Sequence, residues 1–217
     1  MKSIREMIDT VKALDFIYET PVRYPSPKIT PTKNGTIAVD SLNTRFKKIG
    51  ESNFKGFGHL TVFVADTDAF AIGVPTDELN SGQERVDQVF RLVFKDEPTF
   101  SAAKQFSNSK QVKWVKVDPA HQNDDISSTI YTMLARSGYT IISDLTQYEP
   151  GVKLWKRLAR DLGVLVVDVT RGVLTNGGQP IIYDGNNIPN KDIWSTAPDR
   201  SKEDIVLVLT PERARRA

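Results

Sequence analysis

Residues 111–162, QVKWVKVDPAHQNDDISSTIYTMLARSGYTIISDLTQYEPGVKLWKRLARDL, constrain the fold more than any other stretch. Val112, Trp114, Val115 and Val117 are β-formers within Gln111 to Val117, and Asp118-Pro119 ends that strand because proline has no N–H for a ladder. A helix then opens near Asp124 or Asp125, either of which suits an N-cap, with Ile126, Ile130, Met133 and Leu134 on one face. Gly138 stops it. A second strand is expected over Tyr139–Ser143. A second helix, with Pro150 in its first turn, carries the stripe Val152, Trp155, Leu158, Ala159 and Leu162 up to Gly163. The pattern is β-α-β-α, and Val164–Val169 adds a further strand. Such a crossover makes its two strands parallel neighbours, and the strand-to-helix turn presents backbone N–H groups to an anion.

Val117-Asp118-Pro119-Ala120-His121-Gln122 and the helix after it resemble the central motif of the GNAT (N-acetyltransferase-like) superfamily. There a strand ending in V-x-P leads into a loop (Q/R)-x-x-G-x-(G/A), whose amides hold the pyrophosphate of acetyl-CoA. Ser143-Asp144, Gly151 and Leu154-Trp155-Lys156-Arg157-Leu158 are similar to GNAT-like proteins of bacteriophages. The resemblance spans roughly residues 85–165. It implies an α/β (α+β) fold with a mixed, centrally parallel sheet flanked by helices. It implies acetyl-CoA-binding positions at Val117, Gln122, Asn123, Asp124, Asp125, Ile126, Ser127 and Ser128. Asp144, at the end of the second core strand, and Tyr148, before the second helix, are the candidates for base and acid. Asp144 also suits a turn brace, and Tyr148 a packing role. The loop departs from the family pattern: Asp125 and Ser127 stand where it has glycine and glycine or alanine. Like charges ~4 Å apart repel by about 1 kcal/mol even in water, and Asp124 with Asp125 would oppose a pyrophosphate. Capping alone accounts for both aspartates.

The remaining chain is read around this core. Residues 1–18 form an amphipathic helix with Ile4, Ile8, Val11 and Leu14 on one stripe. Pro21, Pro25, Pro27 and Pro31 make residues 20–36 an extended arm. Residues 1–36 therefore form a helix and arm, and 37–217 one GNAT-like unit. His59–Ala65 and Ala69–Val74 are a hairpin joined at Asp66-Thr67-Asp68, Pro75–Arg85 a loop, and Val86–Lys95 a strand. Residues 96–110 are a loop or short helix. Asn176-Gly177-Gly178-Gln179 is a hairpin turn, Ile205–Leu209 a closing strand, and Arg213-Ala214-Arg215-Arg216 a solvated basic tail.

Composition excludes some chemistry. With no cysteine there is no disulfide, thiolate nucleophile or cysteine metal site, and two histidines, His59 and His121, cannot build a histidine-rich one. A net charge of +2 gives nucleic acid little to act on. The basic tail and the basic face Lys153, Lys156, Arg157 and Arg160 are the other pointers to it, and such faces are usually solvated. No apolar run approaches ~20 residues, and the first residues lack a signal-type apolar core. The expectation is a cytoplasmic protein, in the host cytoplasm if phage-encoded. Two readings stand: an acyltransferase using acetyl-CoA, without metal, on a small-molecule or protein amine; or a catalytically inactive GNAT-fold phage protein, binding partners through helix and arm or built into a virion.

Overall fold

The computed structural model describes residues 22–24, 35–54, 58–95, 97–98, 100–121, 125–189, 193–194 and 205–216. The strands begin with β1 Val22–Tyr24, β2 Thr36–Ala38, β3 Phe46–Phe54, β4 Gly58–Ala65 and β5 Phe70–Pro75. Then come β6 Arg85–Asp87, β7 Phe90–Phe94, β8 Ser109–Val117, β9 Thr140–Ile142, β10 Thr146–Tyr148 and β11 Val164–Asp168. The last are β12 Gly172–Val173, β13 Thr175–Asn176, β14 Gln179–Pro180, β15 Ile182–Tyr183 and β16 Ile205–Leu209. The helices are α1 Val39–Arg45, α2 Thr76–Leu79, α3 Ile126–Arg136, α4 Glu149–Leu162 and α5 Pro211–Arg215. The fold is mixed α/β, mostly strands. It divides into two compact units: Pro27–Thr99 with Asn108–Ile141, and Met1–Ser26, Phe100–Ser107 with Ile142–Ala217.

In the first unit β3, β4, β5, β7 and β8 pair in that order, each antiparallel to the next. The expected centrally parallel sheet is therefore corrected: antiparallel pairing dominates. The connections from Phe54 to Gly58 and Ala65 to Phe70 are far shorter than a parallel crossover, which takes a dozen or more residues. Only the connection through α3 resembles one. After it, the amide of Thr140 donates to the carbonyl of Asn108 (3.1 Å), so β9 begins beside the start of β8.

α3 packs on β3 and β8 with Ile126, Ile130, Tyr131 and Leu134 buried. Two glycines clear its seat. A Cβ on Gly50 would lie 3.1 Å from Met133 Cε, and one on Gly73 would lie 3.4 Å from Ile130 Cδ1. A separate apolar cluster joins Leu42 of α1 to Phe63, Ile72, Val74 and Val86. The β4–β5 turn is tied to the end of α3: Tyr139 Oη donates to Asp68 Oδ1 (2.8 Å), and Lys110 Nζ lies 3.5 Å from Asp68 Oδ2.

In the second unit β16 pairs antiparallel with β11, and β12 and β15 also pair with β11. On the other side of β16, Ser143 N donates to Leu207 O (2.9 Å), and Leu207 N donates to Ser143 Oγ (3.0 Å). α4 buries Val152, Trp155, Leu158 and Ala159, four of the five expected stripe residues. Its charged side carries the pairs Lys153–Glu149 (3.6 Å) and Arg157–Asp161 (3.7 Å), which suits a solvated face. The C-terminal tail departs from expectation. Thr210 caps α5, Ala214 is buried, and Arg213 Nη2 donates to Leu162 O (3.0 Å) at the α4 C-terminus. A cation there satisfies carbonyls that the helix leaves open.

Other expectations resolve individually. The hairpins at Asp66–Asp68 and Gly177-Gly178 are present, as is the closing strand. The expected loop Pro75–Arg85 instead contains α2, and the expected strand Val86–Lys95 splits into β6 and β7. Residues 101–105 form a short 3-10 helix. Helix 1–18 lies outside the described residues, as does most of the arm; within it Val22–Tyr24 pairs parallel with Thr146–Tyr148.

Two outcomes are expected. Ser143→Ala strands the Leu207 amide in the interior and should cost about 1–3 kcal/mol in urea unfolding; a loss below ~0.3 kcal/mol would show that Ser143 Oγ does not support β16. Burial first, then the bond to Asp68, holds the Tyr139 phenol above its ordinary value. A raised folded-state pKa means a contribution complete below the unfolded value, about 10, and lost as pH rises beyond it. Stability should therefore fall above pH ~10, and Tyr139→Phe should flatten that fall; an unchanged alkaline limb rules the linkage out.

Candidate functional site

The site begins where β8 ends. Val117 pairs with Phe90 of β7, and the amide of Asp118 donates to the carbonyl of Val89, just before β7 (2.7 Å). Pro119 then forces the chain off the sheet. Asp118 organises the turn twice: its Oδ1 accepts from Ala120 N (3.1 Å), and its carbonyl accepts from His121 N (2.9 Å). A short 3-10 turn, Pro119–His121, results. Gln122, Asn123 and Asp124 lie outside the described residues.

The chain reappears at Asp125 with φ 59° and ψ 13°, the left-handed region. Asp125 occupies the position at which the resembled motif carries glycine. Aspartate is among the few non-glycine residues that tolerate this conformation. Asp125 is the N-cap of α3, as expected, yet its side chain makes no capping bond. Its carbonyl does the work instead, accepting from Thr129 N (3.1 Å) and Ser128 Oγ (2.9 Å). Ile126 is buried in the core and Ser128 nearly so, while Ser127 is half-buried. The amides of Ile126, Ser127 and Ser128 belong to the first turn, where a helix has no internal acceptor for them. Their partial positive charge favours an anion. Of the expected cofactor residues, Val117 and Asp125–Ser128 thus belong to one strand–turn–helix connection. Trp114, on β8, is exposed and lies against the Arg91 guanidinium (5.9 Å to the ring centroid).

The two catalytic candidates fall in the other unit. Asp144 is half-buried, and its Oδ1 accepts from Leu145 N (2.8 Å). Its carbonyl accepts from Gln147 Nε2 (2.8 Å). Both bonds fasten the turn from β9 to β10, the bracing role that aspartate favours. Tyr148 is in β10, its backbone in register with Tyr24.

Residues not expected from the sequence line a cleft of about 300 Å³ in the first unit: Thr36, Glu78, Asp87 and Gln88, with Asp118 and His121. Only β-pairing across 80 residues of sequence brings them together, so no local spacing signals it. Among the described residues, no group of three His, Asp or Glu side chains could hold a metal ion, and no helix is long and apolar enough to cross a membrane. No protein-family model, curated protein or solved structure matches the chain.

The backbone at Asp125 yields a test. Asp125→Val puts a branched side chain at positive φ and should cost about 1–2 kcal/mol, while Asp125→Gly should stay within ~0.5 kcal/mol of the parent. Equal losses in both variants, measured by urea unfolding, would mean that the carboxylate, not the backbone, holds the start of α3.

Proposed function

We propose that the chain is a GNAT-like acyltransferase that binds acetyl-CoA at the β8–α3 connection and transfers its acyl group to an amine. One observation carries this reading. The position of the motif's first glycine, Asp125, adopts the left-handed conformation glycine serves, directly before three helix N-terminal amides. The return of β9 to the start of β8 is consistent with the crossover the motif requires. The reading rests on this connection and not on the wider sheet, which is antiparallel. In the reaction the amine nitrogen attacks the thioester carbon, the C–S bond breaks, and CoA leaves as the thiol after taking up the proton the amine loses. Tyr148 and Asp144 are the acid and base that the resemblance implies for this proton transfer.

A second reading is favoured by one specific observation. The Asp144 carboxylate already accepts a backbone amide of its own turn, as a structural residue does. On that reading the chain is an inactive GNAT-fold phage protein, a binding or virion component whose N-terminal arm contacts a partner.

Calorimetric and thermal-shift titration with acetyl-CoA separates the two. A ligand at ~100 times its dissociation constant adds about 2.7 kcal/mol, or roughly 5–10 °C at this chain length. Acetyl-CoA should produce such a shift, and Ser127→Trp, which places bulk over the α3 amides, should abolish it. No heat and no shift at millimolar acetyl-CoA would leave only the binding or structural reading.

A further inference from the structure

The sheet of the first unit has a second face. Gly73 and Phe90 stand opposite each other on the face that receives Ile130 of α3. Their neighbours along β5 and β7 point the other way. Ile72 lies opposite Arg91, Phe70 opposite Val93, Val93 opposite Trp114, and Arg91 opposite Lys116. Directly opposite residues share a face, so these six side chains form one patch. α1 covers the β5 end of it, where Leu42 and Ile72 belong to one apolar cluster. At the β8 end Trp114 is 41% exposed, and Arg91, Val93 and Lys116 are half-buried. Among the described residues no other large apolar side chain is exposed.

Arg91 is held in place while its donors stay unused. Its guanidinium carbon lies 4.8 Å from the ring centre of Phe70 and 5.9 Å from that of Trp114. Phe70 in turn meets Phe46 edge-on at 5.4 Å. Rings attract a guanidinium through their π faces and leave its N–H groups to other partners. Among the described residues Arg91 makes no hydrogen bond or ion pair. Of its nitrogens only Nε is buried without a partner, so the unbonded Nη1 and Nη2 reach the surface. Such a fork matches the oxygens of a phosphate. The charge around it has one sign. β7 and β8, FRLVF and SKQVKWVKV, carry Arg91, Lys110, Lys113 and Lys116 and no Asp or Glu. Lys110 pairs with Asp68. A net charge of +2 averages over this strip and does not reveal it.

We propose that this face binds single-stranded nucleic acid, with a base stacked on Trp114 and a backbone phosphate accepting from the Arg91 fork. An exposed ring on a sheet with cations beside it supplies both contacts that such strands use. A duplex fits less well, because its bases are already stacked on one another. An acidic peptide would answer the charge and leave the indole without a partner. The face lies on the side of the sheet away from α3, and the proposal holds with or without acetyl-CoA binding.

The test is fluorescence titration of the full chain at low salt with single-stranded oligothymidylate about ten nucleotides long. Trp155 and Trp194 are 1% and 2% exposed, so a stacked base should quench emission from Trp114. Anisotropy of a labelled strand reads the affinity, which should fall as salt rises. Trp114→Ala should weaken binding about tenfold or more, and Trp114→Phe should restore most of it. Arg91→Met, which keeps an apolar chain between the rings, should also weaken it about tenfold. Lys153→Gln, which removes an exposed charge on α4, should leave it unchanged. If Trp114→Ala fails to fold by circular dichroism, Arg91→Met and quenching in the parent decide. No quenching and no anisotropy change at about 100 μM strand, the weak end of non-specific binding, overturns the proposal. So does binding that Trp114→Ala leaves intact, or that Lys153→Gln weakens equally, since that is only general attraction between charges. Equal affinity for thymidine monophosphate would assign the face to a free nucleotide, and equal affinity for a duplex would exclude stacking; either result also overturns it.

Discussion

The seat of α3 on its sheet is the contact from which the candidate site takes its geometry. A helix packs against strands only as closely as the side chains between them permit. Gly50 and Gly73 remove those side chains where Met133 and Ile130 come down. At Gly73 the crowding is two-sided, since an added Cβ would also meet Phe90 Cβ at 3.3 Å. Close packing makes cores sensitive to single methyl groups. A side chain at Gly73 would crowd Phe90 and Ile130 beneath α3, whereas at Gly50 the Met133 methyl would have to give way. The start of α3 is thus positioned from beneath, by residues over fifty positions earlier in the chain.

The second unit uses polar groups where the first uses apolar fit. β16 is central, all five of its residues are buried, and β11 supplies one partner. On the other side Ser143 supplies both a backbone donor and a hydroxyl acceptor to Leu207. Arg213 plays a comparable part at the C-terminus of α4, where its guanidinium replaces the missing next turn. Burial, then the neighbouring Arg216 charge, lowers its pKa from the ordinary value. These bonds satisfy groups that would be costly to bury alone.

The sequence announced the parts governed by local rules. The α4 stripe, the glycine stops at Gly138 and Gly163, and the Gly177-Gly178 hairpin follow from periodicity and turn chemistry, and each is present. α1 and β3 were not legible. Phe46–Phe54 reads FKKIGESNF, without clean alternation, because half of it faces solvent at the edge of its sheet. The dominance of antiparallel pairs was masked by the crossover motif, which describes one connection and says little of the strands before it. At the site, the N-cap was legible at Asp125, but its left-handed backbone was not, because a capping aspartate ordinarily sits in the extended region. The role of Arg213 was hidden for a different reason: nothing in a basic tail names the carbonyl it will meet 51 residues back.

Opposite electrostatic preferences now lie on one connection. The turn from Val117 to Ser128 ends in helix amides that favour an anion and begins at Asp118, which lines an acidic cleft. The magnitudes at the amides nearly cancel. An exposed helix N-terminus gives an anion ~0.3–1 kcal/mol, and one carboxylate at ~4 Å takes back about 1 kcal/mol in water. Asp125 stands at that N-terminus, so a bare phosphate has little to gain there. A ligand anchored elsewhere as well, through apolar or amide contacts along its length, could still seat a phosphate at the turn. Inorganic pyrophosphate and intact CoA therefore differ as probes in a useful way. Affinity for CoA without affinity for pyrophosphate would mean that the amides position the cofactor and do not hold it. Equal affinity would mean that the Asp125 carboxylate turns away from the bound anion. Either result bears on how an aspartate in the left-handed conformation acts at the start of α3.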